Sequence, residues 1–400
     1  MSTIPASPAP TPPEPRRRRL APIAATLLLG AAVGTGATVA AVRATDDATS
    51  SAASVGMPVA AASTLTAGQI YADASPGVVE ITASGVSSDA SGPFGPAQKG
   101  EATGSGFVLD EEGHIVTNAH VVEGASSLSV RFADGDEVAA TLVGTDPSTD
   151  LAVLLLNNPP SDLVPMSIGD SSQVVVGQPV MAIGNPLGLS GTVTTGIVSA
   201  LDRPVTTQAA ESQQGQQGQL PGTQQQQTAS DSVVTNAIQT SAAINPGNSG
   251  GALVTADGKL IGINSSIASL GSSAGSQSGN IGIGFAIPVN EAKSIADQLI
   301  ATGTAQHAYI GVSAGDTTVT DGNSKRQAAL VQSVSQGTPA AQAGLQAQDA
   351  VIAIDGKPID SSEALVANIH EHKVGDTVTV TIIRGSQKQD LTITLAARPG

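Results

Sequence analysis

The sequence predicts a mainly β protein whose short strands form barrels or sandwiches. Between about residues 69 and 288, runs of alternating apolar and polar residues are separated by turn signals, and no helical pattern interrupts them. Gly and Pro are abundant, with 45 and 24 of 400 residues, whereas aromatic residues make up 2%. Many strands at such short spacing favour a barrel or a sandwich. Its core must be built from Val, Ile, Leu and Ala.

The N-terminal 68 residues predict a membrane anchor between two segments without packed structure. Residues 1–19 form a Pro-rich tail that is expected to be disordered and that ends in four arginines. Residues 20–42 carry no charge and are long enough to span a bilayer, which takes about 20 residues. The arginines predict a cytoplasmic tail, with the rest of a single-pass cell-membrane protein outside the cytoplasm. A signal peptide cleaved near Ala40 is the alternative, and residues 43–68 are predicted to be a linker.

Composition excludes several kinds of site. There is no cysteine, so disulfides, thiol catalysis and cysteine-bound zinc are ruled out. The five histidines show no spacing typical of a helical metal-binding pair, and we expect neither a metal nor a cofactor. A net charge of −16 argues against nucleic-acid binding, which needs a basic surface.

Two hairpins, one long insertion and one helix can be placed in the chain. Asp134-Gly135 and Asp257-Gly258 each separate two alternating runs, which is typical of a hairpin turn. Residues 207–228 are rich in Gln and Gly and are predicted to form a surface loop. Apolar residues then recur at helical spacing in NEAKSIADQLIAT, and Gly303 is a helix stop. The other predicted strands are GSGFVLD, HIVTNA, LAVLLL, QPVMAIG, GTVTTGIVSAL and IGIGFAIPV.

Ser249 stands between glycines in AINPGNSGGALV, which raises the question of whether it is a nucleophile. The stretch fits the G-x-S-x-G elbow of α/β-hydrolases, and it also fits the glycine-flanked serine of chymotrypsin-like proteases. An elbow needs a helix after the serine, followed by an Asp and a His, but an alternating hairpin follows here. The chymotrypsin-like order, with His and Asp before Ser, is therefore favoured. A plain tight turn between strands is the alternative.

His120 and Asp150 are the candidates for the other two catalytic groups. His120 lies at the end of an apolar strand between small and apolar neighbours, whereas His114 occupies a turn. An imidazole in the position of His120 is also compatible with a packed core residue. Asp150 opens the run LAVLLL, so its carboxylate is expected to be buried and to need a partner. Asp146 belongs to an Asp-Pro turn and is expected to be exposed.

Several motifs together make residues 70–400 similar to the HtrA family of serine proteases. These motifs are TNAHVV, STDLAVL, AIGNPLG, TVTTGIVSALDR and IQTSAAINPGNSGGAL. The resemblance implies a chymotrypsin-like protease domain over residues 69–303, with two six-stranded β-barrels and the site between them. It also implies that His120 is the general base, Asp150 the group that orients it and Ser249 the nucleophile.

The resemblance further implies how a substrate is held. Gly247, Asn248 and Ser249 would frame an oxyanion hole, since backbone N–H groups aimed at the developing charge stabilise the transition state. A specificity pocket would lie beside this loop, and its apolar character predicts small or medium aliphatic side chains before the cleaved bond. Its lining residues are expected to be Ile281, Ile283 and Ala286. The Gln-rich segment departs from the family and falls where relatives carry a regulatory loop.

Residues 304–400 resemble a PDZ domain, on the stretches AYIGV, GTPAAQAGLQAQDAVIAIDGKPID and SSEALVANIHEHKVGDTVTVTIIRGSQKQDLTITL. Such a domain adds a peptide as an extra strand to an exposed sheet edge; without the resemblance, only a βαβ-type module could be inferred. Gln348 stands where relatives usually have Gly, and His370 and His372 are expected to be solvated. The residues expected to bind the peptide end are Tyr309, Ile310, Gly311, Val312 and Leu365.

These features predict a mainly β, membrane-anchored serine endopeptidase that degrades unfolded or mislocalised proteins outside the cytoplasm. Protein quality control and stress response are the expected roles. C-terminal peptide ligands at the α+β PDZ domain are expected to regulate the enzyme, and the family implies a homotrimer. A chaperone or peptide-sensing protein with low proteolytic activity is the alternative, and an esterase that uses the same three residues is a third hypothesis.

Overall fold

The computed structural model describes residues 65–88, 98–185, 191–207, 233–245, 247–266 and 282–398. The predicted tail, the predicted anchor and nearly all of the predicted linker lie outside these ranges, as does the Gln-rich segment from residue 208 onward. No helix within the described ranges is long and apolar enough to cross a membrane. The anchor and its orientation therefore stay predictions.

The first barrel consists of strands β1 (Val78–Ser88), β2 (Gln98–Val108), β3 (His114–Thr117), β4 (Ser127–Arg131), β5 (Glu137–Asp146) and β6 (Leu151–Leu156). They close into an antiparallel ring in the order β1-β2-β3-β6-β5-β4. Ile81, Ile115 and Leu154 belong to its fully buried core, since alternate side chains of a strand face the same side. The hairpin predicted at Asp134-Gly135 is confirmed: Gly135 turns with φ 97° between β4 and β5.

The second barrel consists of strands β7 (Pro179–Gly184), β8 (Thr192–Thr207), β9 (Val233–Thr240), β10 (Ala252–Thr255), β11 (Leu260–Ser265) and β12 (Gly284–Pro288). They close in the order β10-β11-β12-β9-β8-β7, again antiparallel. Ala182, Ile238 and Leu253 lie in its core. The hairpin predicted at Asp257-Gly258 joins β10 to β11 and is also confirmed. The mainly β fold with two six-stranded barrels agrees with the prediction.

Within the described residues, three α-helices accompany the barrels. Helix α1 (Ala67–Ala74) is capped by the Thr66 side chain and includes the last two residues of the predicted linker. Helix α2 (Ala119–Val122) follows β3, and helix α3 (Val289–Thr302) follows β12. The helix stop predicted at Gly303 is confirmed, because this residue is left-handed and its N–H bonds to the Leu299 carbonyl at 2.8 Å. Buried residues of α3 join a cluster that spans both barrels.

The C-terminal domain consists of β13 (Ala308–Tyr309), β14 (Val312–Asp321), β15 (Ser324–Val334), α4 (Pro339–Gln342), β16 (Ala350–Ile354), β17 (Lys357–Pro358), α5 (Ser362–His370), β18 (Thr377–Arg384), β19 (Gln387–Thr394) and β20 (Ala396–Ala397). Its main sheet has the order β14-β15-β16-β18-β19, with β17 on β16. Gln348 adopts φ 74°, a left-handed conformation that favours Gly. The departure at this position therefore lies in a turn before β16.

The C-terminal domain packs on the second barrel through α5, which contacts β8 and β9. The Glu371 carboxylate, directly after α5, accepts a hydrogen bond from Asn236 Nδ2 at 2.8 Å and pairs with Lys357 Nζ at 3.0 Å. The expectation that His370 is solvated is wrong. It is half-buried, and its ring lies 5.5 Å from the ring of His307.

The expectation that Asp146 is exposed is also wrong. Asp146 is 5% exposed, and its carboxylate accepts the Thr149 hydroxyl at 2.5 Å. It pairs with His307 Nε2 at 2.9 Å, across the junction between the first barrel and the start of the C-terminal domain. The Asp-Pro turn forms as expected, but the long-range imidazole turns its carboxylate inward.

Glu291, in the first turn of α3, gives this junction a pH-dependent stability. Burial raises the pKa of the Glu291 carboxyl to about 8, and the carboxylates of Glu371 and Asp146 contribute to the rise. Its Oε2 atom is inaccessible to solvent and accepts no hydrogen bond from the described residues. The folded-state pKa of Glu291 lies above the unfolded value of 4.5. The contribution of this carboxyl to the free energy of unfolding is therefore fully present below about pH 4.5 and is lost as the pH rises through about 8.

We expect Glu291→Gln to remove this pH dependence, because an amide has no proton to lose. The wild type should lose a few kcal/mol of unfolding free energy relative to the variant between pH 5 and pH 9, with about 5 kcal/mol as the upper limit for such a pKa difference. Unfolding in urea at a series of pH values measures the difference. Glu363→Gln is the matched control, since Glu363 also lies in the first turn of a helix but is exposed. Parallel pH curves for the wild type and Glu291→Gln would contradict the prediction.

Candidate active site

His120 and Asp150 form a hydrogen-bonded pair. His120 Nδ1 lies 2.8 Å from Asp150 Oδ1 and 2.9 Å from Oδ2. Asp150 is 6% exposed, and its carboxylate also accepts the His120 backbone N–H at 3.2 Å and the Ser265 hydroxyl at 3.2 Å. The prediction that Asp150 is buried with a partner is confirmed. Since a carboxylate only accepts, Nδ1 carries the imidazole proton and Nε2 is left as an acceptor in the neutral ring.

The backbone around Asp150 brings the two side chains together. Asp150 is left-handed, with φ 56°, a conformation that Asp tolerates better than most residues. Its carbonyl oxygen accepts the Ala119 N–H at 3.0 Å and Asn118 Nδ2 at 2.9 Å. These bonds tie the start of α2 to the start of β6. His120 therefore lies on a short helix and not at the strand end, because β3 already stops at Thr117.

Ser249 lies in the loop between β9 and β10, and it is 3% exposed. Its hydroxyl is in close contact with the Ser266 hydroxyl and accepts the Ser266 N–H at 3.1 Å. In the described part of the chain, no hydrogen bond joins the Ser249 hydroxyl to His120. Ser265 and Ser266 are adjacent, and one contacts Asp150 while the other contacts Ser249. His120, Asp150 and Ser249 therefore lie around the dipeptide Ser265-Ser266 at the end of β11.

The glycines around Ser249 let the loop approach the first barrel. Gly250 has φ 82°, and a Cβ there would overlap the Ser105 carbonyl oxygen and the Thr117 hydroxyl. Gly247 has φ 99°. Among the described residues, neither the Gly247 N–H nor the Ser249 N–H has an acceptor, whereas the Asn248 N–H bonds to the Asn245 carbonyl at 3.0 Å. Two backbone donors are thus available beside the Ser249 hydroxyl.

Two further histidines form aspartate pairs of similar length. His114 Nδ1 lies 2.7 Å from Asp110 Oδ2, and His307 Nε2 lies 2.9 Å from Asp146 Oδ2. Of these three pairs, the His120 pair is the one that shares a neighbouring dipeptide with Ser249. In the described ranges, no group of three or more His, Asp or Glu residues is placed to hold a metal ion.

Ser105, Ser265 and Ser266 contact the predicted residues but were not identified from the sequence. Ser265 and Ser266 follow the alternating run LIGIN, and the adjacent serines read as the polar end of a strand. Their link to Asp150 and Ser249 depends on barrel closure, which brings Ser265 to a residue more than a hundred positions away. The GSG of GSGFVLD was the only local signal at Ser105, since two glycines flank one small polar residue within a strand.

The predicted specificity pocket is only partly described. Ile281 lies outside the described residues. Ile283 is partly buried and packs with Val205, Ala237 and Phe285, whereas Ala286 is fully buried in the core of the second barrel. The role of these residues in substrate choice stays a prediction.

The predicted peptide-binding residues surround the start of β14. Gly311 has φ 87°, and its carbonyl accepts the Ser335 N–H at 3.0 Å, while the Ile310 carbonyl accepts the Ala340 N–H at 2.9 Å. Tyr309 ends β13 and Val312 begins β14, which is an edge strand of the described sheet. Leu365 on α5 is buried in the same core as Ile310. The arrangement leaves a sheet edge beside α5, as peptide addition requires.

The fold and the comparisons with known proteins define the class of protein, a trypsin-like serine protease with a PDZ domain. Residues 104–263 match the trypsin-like peptidase domain, and residues 308–395 match the PDZ domain. The chain is 46% identical over 288 residues to serine protease PepD of Mycobacterium tuberculosis, covering 70% of this chain and 57% of PepD. It is 40% identical to serine protease Do-like HtrA of Bacillus subtilis, covering 81% of this chain and 71% of that protein.

The solved structure of the HtrA-type protease AlgW with a decapeptide superposes with a TM-score of 0.57 at 31% identity. The match covers 84% of this chain and 100% of the chain in that structure. The chain thus belongs to the HtrA-type serine proteases, as its motifs indicated. It spans only a little more than half of the length of PepD, at 57%.

Proposed function

We propose that this chain is a serine endopeptidase in which Ser249 is the nucleophile, His120 the general base and Asp150 the group that orients it. The observation that carries the proposal is the arrangement of the three around Ser265 and Ser266. It combines the His120–Asp150 pair, whose carboxylate is buried, with a serine whose loop has two backbone N–H groups available. Family membership supports the same assignment.

Acylation begins with a rotation of the Ser249 hydroxyl away from Ser266 and toward His120 Nε2. As Oγ attacks the carbonyl carbon of the scissile peptide, Nε2 takes the hydroxyl proton and the carbonyl oxygen becomes negatively charged. The N–H groups of Gly247 and Ser249 bind this oxyanion, and Asp150 stabilises the imidazolium. The carbon–nitrogen bond then breaks as Nε2 returns the proton to the leaving amine.

Deacylation repeats the sequence with water. His120 Nε2 removes a proton from a water molecule that attacks the acyl carbon, and the same two N–H groups bind the second oxyanion. The carbon–Oγ bond breaks, and Ser249 recovers its proton from Nε2. The acid leaves, and the enzyme returns to its starting protonation state.

The PDZ domain would bind the C-terminal end of a peptide and regulate the protease domain. A peptide added to the β14 edge would place its carboxylate at the loop from Tyr309 to Val312. Helix α5 borders that edge and also packs on β8 and β9 of the second barrel. Occupation of the groove would therefore act on the strands on either side of the Gln-rich segment.

The cellular setting is proposed from the sequence. The apolar run at residues 20–42 would anchor the chain in the cell membrane, with the protease and PDZ domains outside the cytoplasm. Unfolded or mislocalised proteins would be the substrates, in protein quality control and stress response. The family resemblance implies a homotrimer, and the apolar segment ending at Ala286 implies small or medium aliphatic residues before the cleaved bond.

Labelling by a serine-directed fluorophosphonate tests the proposal. We expect the wild type to be labelled at Ser249 and His120→Ala to react about 10²–10⁴-fold more slowly, because the general base is lost. His114→Ala is the matched control, since it removes an imidazole that also pairs with an aspartate. Mass spectrometry of the labelled peptide identifies the site. Equal labelling of the wild type and His120→Ala would contradict the assignment.

A chaperone or peptide-sensing protein with low proteolytic activity is the second candidate. The observation in its favour is the Ser249 hydroxyl, which bonds to Ser266 and not to His120. This hypothesis expects negligible casein cleavage by the wild type and equal suppression of casein aggregation by the wild type and Ser249→Ala. Ready cleavage of casein by the wild type alone would reject it.

A further inference from the structure

Ser105, on β2 of the first barrel, is completely buried and holds the Ser249 loop through both its backbone and its side chain. Its Oγ donates to the Gly247 carbonyl at 2.6 Å. Its backbone N–H donates to the Ser249 carbonyl at 2.8 Å. The two residues whose carbonyls it binds are the two whose N–H groups would bind the oxyanion.

These contacts fix the direction of the Ser249 N–H. A carbonyl belongs to the rigid peptide plane that it shares with the next residue. Ser105 therefore holds the plane after Gly247 and the plane after Ser249. The plane that contains the Ser249 N–H lies between those two, and its own carbonyl, that of Asn248, accepts the Gly251 N–H at 3.0 Å. Three consecutive planes are thereby held.

The Ser105 hydroxyl donates its proton to the Gly247 carbonyl oxygen. Its oxygen accepts the Asn185 N–H at 2.8 Å, at the end of β7 in the second barrel. The single hydroxyl proton is then directed at the Gly247 carbonyl oxygen. One buried hydroxyl consequently links the first barrel, the second barrel and the Ser249 loop.

The loop needs such an anchor because glycine does not restrain it. Gly247 adopts φ 99° without a Cβ to limit the neighbouring conformations. The Ser105 backbone is itself held, since its carbonyl accepts the Thr117 hydroxyl at 2.6 Å. A rotated Gly247 carbonyl would give up a short bond and leave the Asn185 N–H beside a hydroxyl whose proton has no partner.

We propose that Ser105 is a positioning residue for the oxyanion site, where its hydroxyl holds the Gly247 carbonyl so that the Ser249 N–H keeps its direction. The inference rests on the proposed peptidase function and concerns the same site. Ser105 does not touch the substrate, so its effect reaches the reaction through the loop. It should therefore alter transition-state binding more than substrate binding.

The experiment compares Ser105→Ala with the wild type for kcat, KM and the inhibition constant of a peptide aldehyde, whose tetrahedral adduct needs the oxyanion donors. We expect kcat to fall about 10–10²-fold, since a small misplacement of catalytic donors costs about that factor. KM should stay within about threefold, and the aldehyde should bind more weakly by the factor lost in kcat/KM. The apparent pKa of kcat/KM should not move, because His120 and Asp150 keep their contacts.

Thr240→Ala is the matched control. Thr240 is also completely buried, and its hydroxyl likewise accepts a backbone N–H, from Ala242 at 3.1 Å, and donates to a carbonyl, that of Ile197 at 2.9 Å. We expect this variant to lower the melting temperature. It should not show the fall in kcat at nearly constant KM that is expected of Ser105→Ala. Ser105→Thr, which keeps the hydroxyl, should restore most of kcat. If Ser105→Ala folds poorly, Ser105→Cys keeps the shape while it weakens the donated bond, and kcat should still fall.

The outcomes separate this inference from the function on which it rests. Wild-type kcat in both Ser105→Ala and Ser105→Cys would overturn the positioning role alone, as would an equal fall of kcat in Thr240→Ala. A wild-type chain whose hydrolysis is absent and unchanged by Ser249→Ala would overturn both proposals.

Discussion

Replacing Ser249 by Ala is expected to lower kcat for casein and for short peptides by about 10⁴–10⁶-fold, the loss typical of a removed triad nucleophile. The acyl-enzyme forms through the Ser249 oxygen, and no neighbouring group can take its place. Ser266 contacts Ser249 through its N–H and Oγ, but it follows β11 and does not lie in the loop that carries the two backbone donors. KM should change little, because the substitution removes only one oxygen.

Ser172→Ala is the control for this prediction, since Ser172 lies in an exposed turn between β6 and β7. It should keep the activity of the wild type. Ser249→Ala should also keep its melting temperature within a few degrees, as the lost oxygen bonds only to Ser266 among the described residues. Casein cleavage that persists in Ser249→Ala after purification from other proteases would show that the nucleophile lies elsewhere.

The contact of Ser249 with Ser266 is too weak to decide between a peptidase and a chaperone. A neutral hydrogen bond contributes about 1 kcal/mol net, and the two contacts together contribute about 2 kcal/mol. Such an energy reduces the population of a hydroxyl turned toward His120 by roughly 30-fold at most. A triad contributes a rate factor that is larger by orders of magnitude. The resting contact can therefore slow the enzyme but cannot account for a protein without proteolytic activity.

The features that could be predicted from sequence are those with local signals. Asp134-Gly135 and Asp257-Gly258 mark hairpin turns because only a few residue types tolerate the positive φ angles that such turns require. Gly303 ends α3 for the same reason. Ser249 was assigned to the chymotrypsin-like order because an alternating hairpin follows it, and the structure shows that hairpin as β10 and β11.

The features that escaped prediction depend on contacts distant in the chain. Asp146 reads as an exposed turn residue because its partner, His307, lies 161 positions further along. Ser105 is 142 positions from Gly247, and nothing in GSGFVLD indicates which carbonyl its hydroxyl binds. The closure of the first barrel against the second creates the Ser105 contact. Periodicity can predict the strands but not the side chains that meet between the barrels.

Asp150→Asn is expected to reduce kcat by about 10⁴-fold while the fold and the position of His120 are kept. The introduced carboxamide presents an N–H to the imidazole where Asp150 presents an acceptor. His120 must then leave Nδ1, the nitrogen that faces this amide, unprotonated and carry its proton on Nε2. In that tautomer Nε2 can no longer accept the proton of Ser249. The loss follows from the wrong tautomer, and fluorophosphonate labelling should slow together with kcat.

Asp146→Asn provides the matched control, because Asp146 is an equally buried carboxylate that also pairs with a histidine and lies close to the same connection between β5 and β6. It should lower stability through the lost pair with His307 but leave kcat near that of the wild type. A kcat for Asp150→Asn within about tenfold of the wild type would mean that the short contacts of Asp150 with His120 are structural, since a wrong tautomer costs far more. An equal loss in both variants would assign the effect to the turn that the two aspartates share, and the orienting role of Asp150 would have to be given up.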